Sequence, residues 1–118
     1  MNAARFTKRA RLLNAAQFDV AFKQGRRLNA GAFVAVIAPN GLDFARIGFA
    51  FSKRHAPHSV QRNRVRRILR ERFRQQQQTL SAVDLVLMLR SKLPTEPAEL
   101  TAAVNSFWTQ LAGRCAVS

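Results

Sequence analysis

Ser59-Val-Gln-Arg-Asn-Arg-Val-Arg-Arg-Ile-Leu-Arg-Glu-Arg-Phe-Arg74 places seven arginines between positions 62 and 74, against one acid, Glu71. Advancing about 100° per residue puts Val65, Ile68, Leu69 and Phe73 on one arc, at the i, i+3, i+4, i+8 spacing of a core-facing stripe. Arg66, Arg70 and Arg74 form an i, i+4 ladder on the opposite side, with Asn63 and Arg67 beside it and Arg62 at the border. Arg72 falls inside the apolar arc and is expected to snorkel at its edge. The pattern predicts a helix over residues 60–76 with one face in the core and the other a guanidinium array. A solvated helix whose charge serves only solubility would mix its signs. This face is nearly all one sign, and such self-repulsion is relieved by a bound polyanion, most obviously nucleic acid.

Outward from that helix the chain alternates between strand and helix signals. Upstream, Phe44-Ala-Arg-Ile-Gly-Phe-Ala-Phe-Ser52 reads as a strand, followed by the basic pair Lys53 and Arg54 and a loop containing Pro57. Before it, Phe33-Val-Ala-Val-Ile-Ala38 reads as another strand, ended by the turn Pro39-Asn40-Gly41. The two strands are expected to pair as an antiparallel hairpin. Downstream, Gln75 to Gln78 is expected to be the frayed helix end. Val83-Asp-Leu-Val-Leu-Met-Leu-Arg90 is a continuous apolar run, as for a strand buried on both faces. A last helix, residues 97–112, carries Leu100, Val104, Phe107, Trp108 and Leu111 on one face and is expected to end at Gly113. Near the start, Asn14 and Gln17 have capping-box spacing ahead of a helix over residues 15–24. Gly25 suits the position after its end. Residues 1–13 are basic and lack a period, which predicts a flexible or extended arm.

The order is α-β-β-α-β-α, with room for a further short strand near Leu28. The fold class is α+β: one small sheet with helices packed on it, in a single RNA-binding domain over residues 1–118. If the strands flanking the arginine helix are parallel, they form a β-α-β unit, for which the general rule expects a right-handed crossover.

Composition narrows the function. The net charge is +14, and most of the 20 basic residues are arginine. Arginine forks match phosphate oxygens two at a time and stack on bases, unlike a lysine ammonium. A membrane-surface helix would carry lysines opposite Trp and Leu, whereas the stripe here has the look of core. The apolar runs are too short to span a bilayer and no signal peptide is evident, so the cytoplasm is the expected location. The single cysteine, Cys115, excludes a disulfide framework. His55 and His58 have H-x-x-H spacing, but Pro57 lies between them and no carboxylate or thiol is close. They read as loop residues and not as metal ligands.

No active site is legible. The six acids, Asp19, Asp43, Glu71, Asp84, Glu96 and Glu99, are scattered. No pair has the spacing of a two-metal nuclease, and no phosphate-binding glycine loop occurs. No residue of the chain is therefore expected to be catalytic, and the chain reads as a binder. Zinc-finger, basic-zipper, helix-turn-helix and RNP1 signatures are absent. Phe18 and Phe22, at i, i+4 on the first helix, are either core or a stacking surface for unpaired bases.

At this point the residues resemble a known family. Gln61-Arg62-Asn63-Arg64-Val65-Arg66-Arg67-Ile68-Leu69-Arg70-Glu71 is similar to the RNR motif of the bacterial ribonuclease P protein component. Phe18-x-x-x-Phe22-Lys23-x-Gly25 resembles that family's first helix. Arg46-Ile-Gly-Phe-Ala-Phe-Ser-Lys-Arg54 resembles its strand and basic pair. Asp84-Leu-Val-Leu resembles its last strand, and Phe107-Trp108-x-x-Leu111 its last helix. The resemblance covers residues 9–112. It implies an α-β sandwich like the second domain of ribosomal protein S5, with a left-handed β-α-β crossover in place of the right-handed one. It implies a subunit of an endoribonuclease in which a large RNA, with magnesium, removes the 5′ leader of precursor tRNA. The protein would bind no cofactor alone. Its partners would be the ribonuclease P RNA and the single-stranded leader, with no membrane and no small-molecule substrate. The implied leader cleft lies between the first helix and the sheet, lined by Phe18 and Phe22. Val36 matches a position where relatives can carry Tyr. Lys53, Arg54, Arg62, Asn63, Arg64, Arg66, Arg67 and Arg70 match basic rim and RNA-facing positions. Arg11 and Arg74 extend this set at either end. The alternative is a structural RNA-binding protein of ribosomal or chaperone type on a similar fold.

Overall fold

The described residues form α1 (Ala15–Gln24), β1 (Arg26–Ala30), β2 (Phe33–Pro39), β3 (Arg46–Ala50), α2 (Ser59–Gln76), β4 (Val83–Leu89) and α3 (Pro97–Cys115). The structure is a computed structural model and describes residues 15–115. The expected basic arm, including Arg11, and Asn14 of the expected capping box lie outside the described residues.

The short strand near Leu28 is present as β1. It joins β2 through Gly31-Ala32 alone. Gly31 has φ +59° and, among the described residues, no non-glycine residue has positive φ, which is the pattern of a II′ hairpin turn. The sheet order is β1-β2-β4-β3. β2 is antiparallel to both β1 and β4, and β3 is parallel to β4. The expected hairpin between β2 and β3 is therefore corrected: β4 lies between them. The cause is the apolar content of β4, which is buried along nearly its whole length. Such a strand needs cover on both faces and takes a central place. The turn after β2 still forms, with the Leu42 amide donating to Asn40 Oδ1 at 2.9 Å and Gly41 at φ +68°. It carries the chain past β4 to the far edge. β3, α2 and β4 make the β-α-β unit.

Helices cover the two faces unequally. On one face, Phe33, Ile47, Leu85 and Leu87 meet Val65, Leu69 and Phe73 of α2 and Val104, Phe107 and Leu111 of α3. The Phe33 and Phe107 rings stack 4.7 Å apart. On the other face, α1 rests on a small cluster of Ala21, Val36, Ala38 and Val86. Gly25 follows α1 and donates to the Ala21 carbonyl at 2.8 Å. It is not in the left-handed region. Its reason is space: a Cβ there would overlap the Val36 side chain and lie 2.6 Å from the Ala21 carbonyl oxygen.

Two helix ends differ from expectation. α3 runs through Gly113 to Cys115, whose side chain is buried and whose carbonyl accepts from the Ser81 amide at 2.7 Å. Those gains outweigh the ~1 kcal/mol cost of a glycine inside a helix. The glutamine tract is also anchored. Gln76 Oε1 accepts the Trp108 indole N–H, and a single 3-10 turn, Gln77–Thr79, leads on towards β4.

Candidate nucleic-acid interface

The arginines of α2 are held in several different ways. Arg62 is half-buried and donates through Nη1 to the Ala56 carbonyl, tying the preceding loop to the helix. Asn63 Oδ1 accepts from Arg66 Nη1 at 3.1 Å. The Arg66 guanidinium stands 5.7 Å from the centroid of the Phe51 ring, and that of Arg70 stands 5.3 Å from the Phe49 ring. Both are within cation–π range. Arg74 instead forms a two-point pair with Glu71, one arm being Nε to Oε2 at 3.1 Å. That bond holds the Glu71 carboxyl below its ordinary range. Arg72 reaches Asn105 on α3 at 3.0 Å, at the edge of the apolar stripe as expected. Arg64 and Arg67 are exposed and, with Asn63 and the 79% exposed Val60, border a surface depression of about 540 Å³.

The expected ladder of Arg66, Arg70 and Arg74 opposite the core is thus divided. Arg66 and Arg70 lean over rings at the β3 edge, because Phe49 and Phe51 extend from the sheet beneath the flank of α2. Arg74 is turned to Glu71. Lys53 and Arg54 are exposed in the loop just after β3.

The aromatic pair lies on the other side of the sheet. Strand register aligns Asn29, Val34, Met88 and Ala50 in one row across the α1 face, and Arg27, Val36, Val86 and Gly48 in the next. α1 seals the second row. In the first, Asn29 and Ala50 are exposed and Met88 is half-buried. Phe18 packs half-buried against the small cluster, Phe22 is 40% exposed, and their ring centroids are 6.4 Å apart. They project from the flank of α1 opposite Val20 and Gln24. The exposed Ala50 ends the first row at the β3 edge, three residues before Lys53 in the chain. Val36 belongs to the floor under α1. At 1% exposure it offers no surface to a ligand. The predicted residues therefore do not share one pocket. Lys53, Arg54, Arg66 and Arg70 lie along the β3 edge, whereas Phe18 and Phe22 lie on α1, which packs over β2 and β4.

The other flank of α1, with Val20 and Gln24, lines a groove of about 390 Å³ that ends at Arg46 and Asp84. Asp84 is 5% exposed. Arg46 grips it with two bonds of 2.8 and 2.7 Å, and Asn40 Nδ2 adds a third at 3.0 Å. The hydrogen bond to Asp84 raises the Arg46 pKa against the smaller effect of burial. This trio and the ring partners Phe49 and Phe51 were not singled out by the sequence reading. The signals were there: a carboxylate inside an apolar strand needs a cation, and two phenylalanines at i, i+2 share one strand face. A carboxylate so fully engaged is a structural clamp. Among the described residues, no three His, Cys, Asp or Glu side chains gather into a metal site. No described helix is long and apolar enough to cross a membrane.

Comparison with known proteins identifies the family and supports the fold. A family model described as Ribonuclease P matches residues 6–112. The ribonuclease P protein component of Chromobacterium violaceum is 39% identical over 120 residues, spanning 100% of this chain and 98% of the relative. That of Nitrosococcus oceani is 33% identical over 114 residues, spanning 96% of each. Among solved structures, the RNase P protein of Staphylococcus aureus superposes with a TM-score of 0.72 at 26% identity, over 86% of this chain and 92% of that one. The RNase P protein of Thermotoga maritima gives 0.71 at 27% identity, over 86% and 94%. With a family model over most of its length and relatives at 33–39% identity, the chain belongs to the ribonuclease P protein family.

Proposed function

We propose that this chain acts as the RNA-binding subunit of a ribonuclease P holoenzyme, with the exposed face of α2 and the loop basic residues docked on the catalytic RNA. The observation that carries the reading is the arginine-rich face of α2 along the β3 edge, with Arg66 and Arg70 over the Phe51 and Phe49 rings and Arg64 and Arg67 exposed. In this reading the RNA subunit performs the cleavage and holds the magnesium. The cleft beside Phe18 and Phe22 takes the single-stranded 5′ leader of precursor tRNA. An extended strand there has ring faces for its bases and Lys53 and Arg54 for its phosphates. The relatives named above are ribonuclease P protein components, which disfavours a structural RNA binder of ribosomal or chaperone type.

The test is reconstitution. Adding the purified chain to a bacterial ribonuclease P RNA at low magnesium is expected to restore cleavage of precursor tRNA at the mature 5′ end. The chain without that RNA is expected to cleave nothing. Failure to restore processing, or 5′ cleavage by the protein alone that a point mutation in it abolishes, would overturn the proposal.

A further inference from the structure

Phe49 and Phe51 are not part of the basic face of α2, yet each lies under one of its cations. The match is geometric. Residues two apart on a strand repeat at about 6.7 Å, and residues four apart on a helix at about 6 Å. The two rings, with centroids 5.5 Å apart, are therefore commensurate with Arg66 and Arg70 one turn apart on α2. The order is reversed, Arg66 over Phe51 and Arg70 over Phe49, as it must be when a helix runs back along the strand that precedes it.

The nature of the partners matters. Arg74 is oriented by Glu71 and Arg46 by Asp84, and in both pairs the carboxylate cancels the charge it orients. Arg66 is oriented by a ring face and an amide oxygen, both neutral. Its side chain loses rotamer freedom before any ligand arrives, while its full positive charge stays available. Fixing a long side chain in advance removes an ordering cost that binding would otherwise bear.

We infer that Phe49 and Phe51 are positioning residues for RNA binding: their ring faces hold the Arg70 and Arg66 guanidinium groups in place along the β3 edge, and a ring face, unlike a carboxylate, brings no negative charge of its own. The inference rests on the reading of α2 as an RNA-binding face and adds to it the device that pre-orders that face. It also assigns a binding role to two side chains that otherwise read as core.

A double-mutant cycle on binding to a bacterial ribonuclease P RNA tests it. Phe51→Leu keeps an apolar side chain and removes the ring face. It is expected to weaken binding about 2- to 5-fold in the parent chain, and by under about 1.5-fold in an Arg66→Ala background. Phe49→Leu should show the same dependence on Arg70. Phe49→Tyr, which keeps the face at a half-buried site, should bind as the parent does. Equal losses from Phe51→Leu in both backgrounds, or no loss in the parent, would overturn the positioning role while leaving the RNA-binding face intact. An Arg66→Ala chain that binds like the parent would instead remove the RNA-binding reading at that position, and the inference with it. Melting curves of each variant complete the test. A binding loss that follows the loss of fold, whatever stands at position 66, marks Phe51 as core alone.

Discussion

Gly25 closes the first helix directly over Val36, with no room between them for a Cβ. Gly25→Ala is therefore expected to destabilise the fold by about 1–3 kcal/mol, as overpacking does. Gly25→Asn should be no better tolerated. Asparagine would be accepted if the position needed left-handed backbone, but not if it needs space. Urea midpoints of the two variants check this, and an asparagine variant as stable as the parent would contradict it.

The Arg46–Asp84 clamp joins β3 to β4 where the groove under α1 ends. Asp84→Ala leaves a half-buried guanidinium without its acid and should cost about 3 kcal/mol. Replacing both partners by apolar residues, as in Arg46→Met with Asp84→Leu, should recover most of that loss. Equilibrium denaturation of the single and double variants measures the difference.

Much of this architecture was legible in the chain. Val65, Leu69 and Phe73 carry the helical period that puts α2 on the core, and all three are buried. α1 follows as directly from its own stretch. Strand pairing was not legible, because a tight turn at Asn40-Gly41 looks the same whether its strands pair or a third strand enters between them. Only the demand of β4 for cover on both faces decides the order. The same limit applied to the site. Helical spacing places Arg66 and Arg70 away from the core stripe. It cannot show that Phe49 and Phe51 of another element reach under them. The family resemblance implied a cleft position at Val36, but the α1 backbone at Gly25 lies on top of it.

Cys115 gives a pH signature. Burial pushes its thiol up to about 11 from 9.0. The folded state then holds a proton that the unfolded chain releases. This contribution is fully present below pH 9 and is lost as pH rises through about 11. Stability should fall with pH across that window, and Cys115→Ala should flatten the fall. The same burial should leave the native thiol nearly unreactive towards a thiol reagent at pH 8. Fast native-state labelling would contradict the burial.

The arginines of α2 should contribute unequally to salt dependence. Arg67 is exposed, whereas Arg74 is paired with Glu71. Arg67→Ala is expected to make the log–log slope of RNA affinity against salt shallower by about 0.7–0.9, the value of one phosphate contact. Arg74→Ala should change it less, since Glu71 already offsets that charge. Titrations at several salt concentrations give both slopes. A salt-independent affinity would contradict the phosphate-binding face altogether.

The most direct measurement compares two tRNAs on the reconstituted holoenzyme with the parent chain and with Phe22→Leu. One tRNA carries a leader of several nucleotides and the other carries none. Phe22 is 40% exposed, so the substitution should barely move the melting temperature. Loss of one stacked base should weaken the leader-bearing tRNA by about 1–3 kcal/mol and leave the other unchanged. Equal losses for both tRNAs, or a large drop in melting temperature without any leader-dependent loss, would contradict the cleft as the leader site.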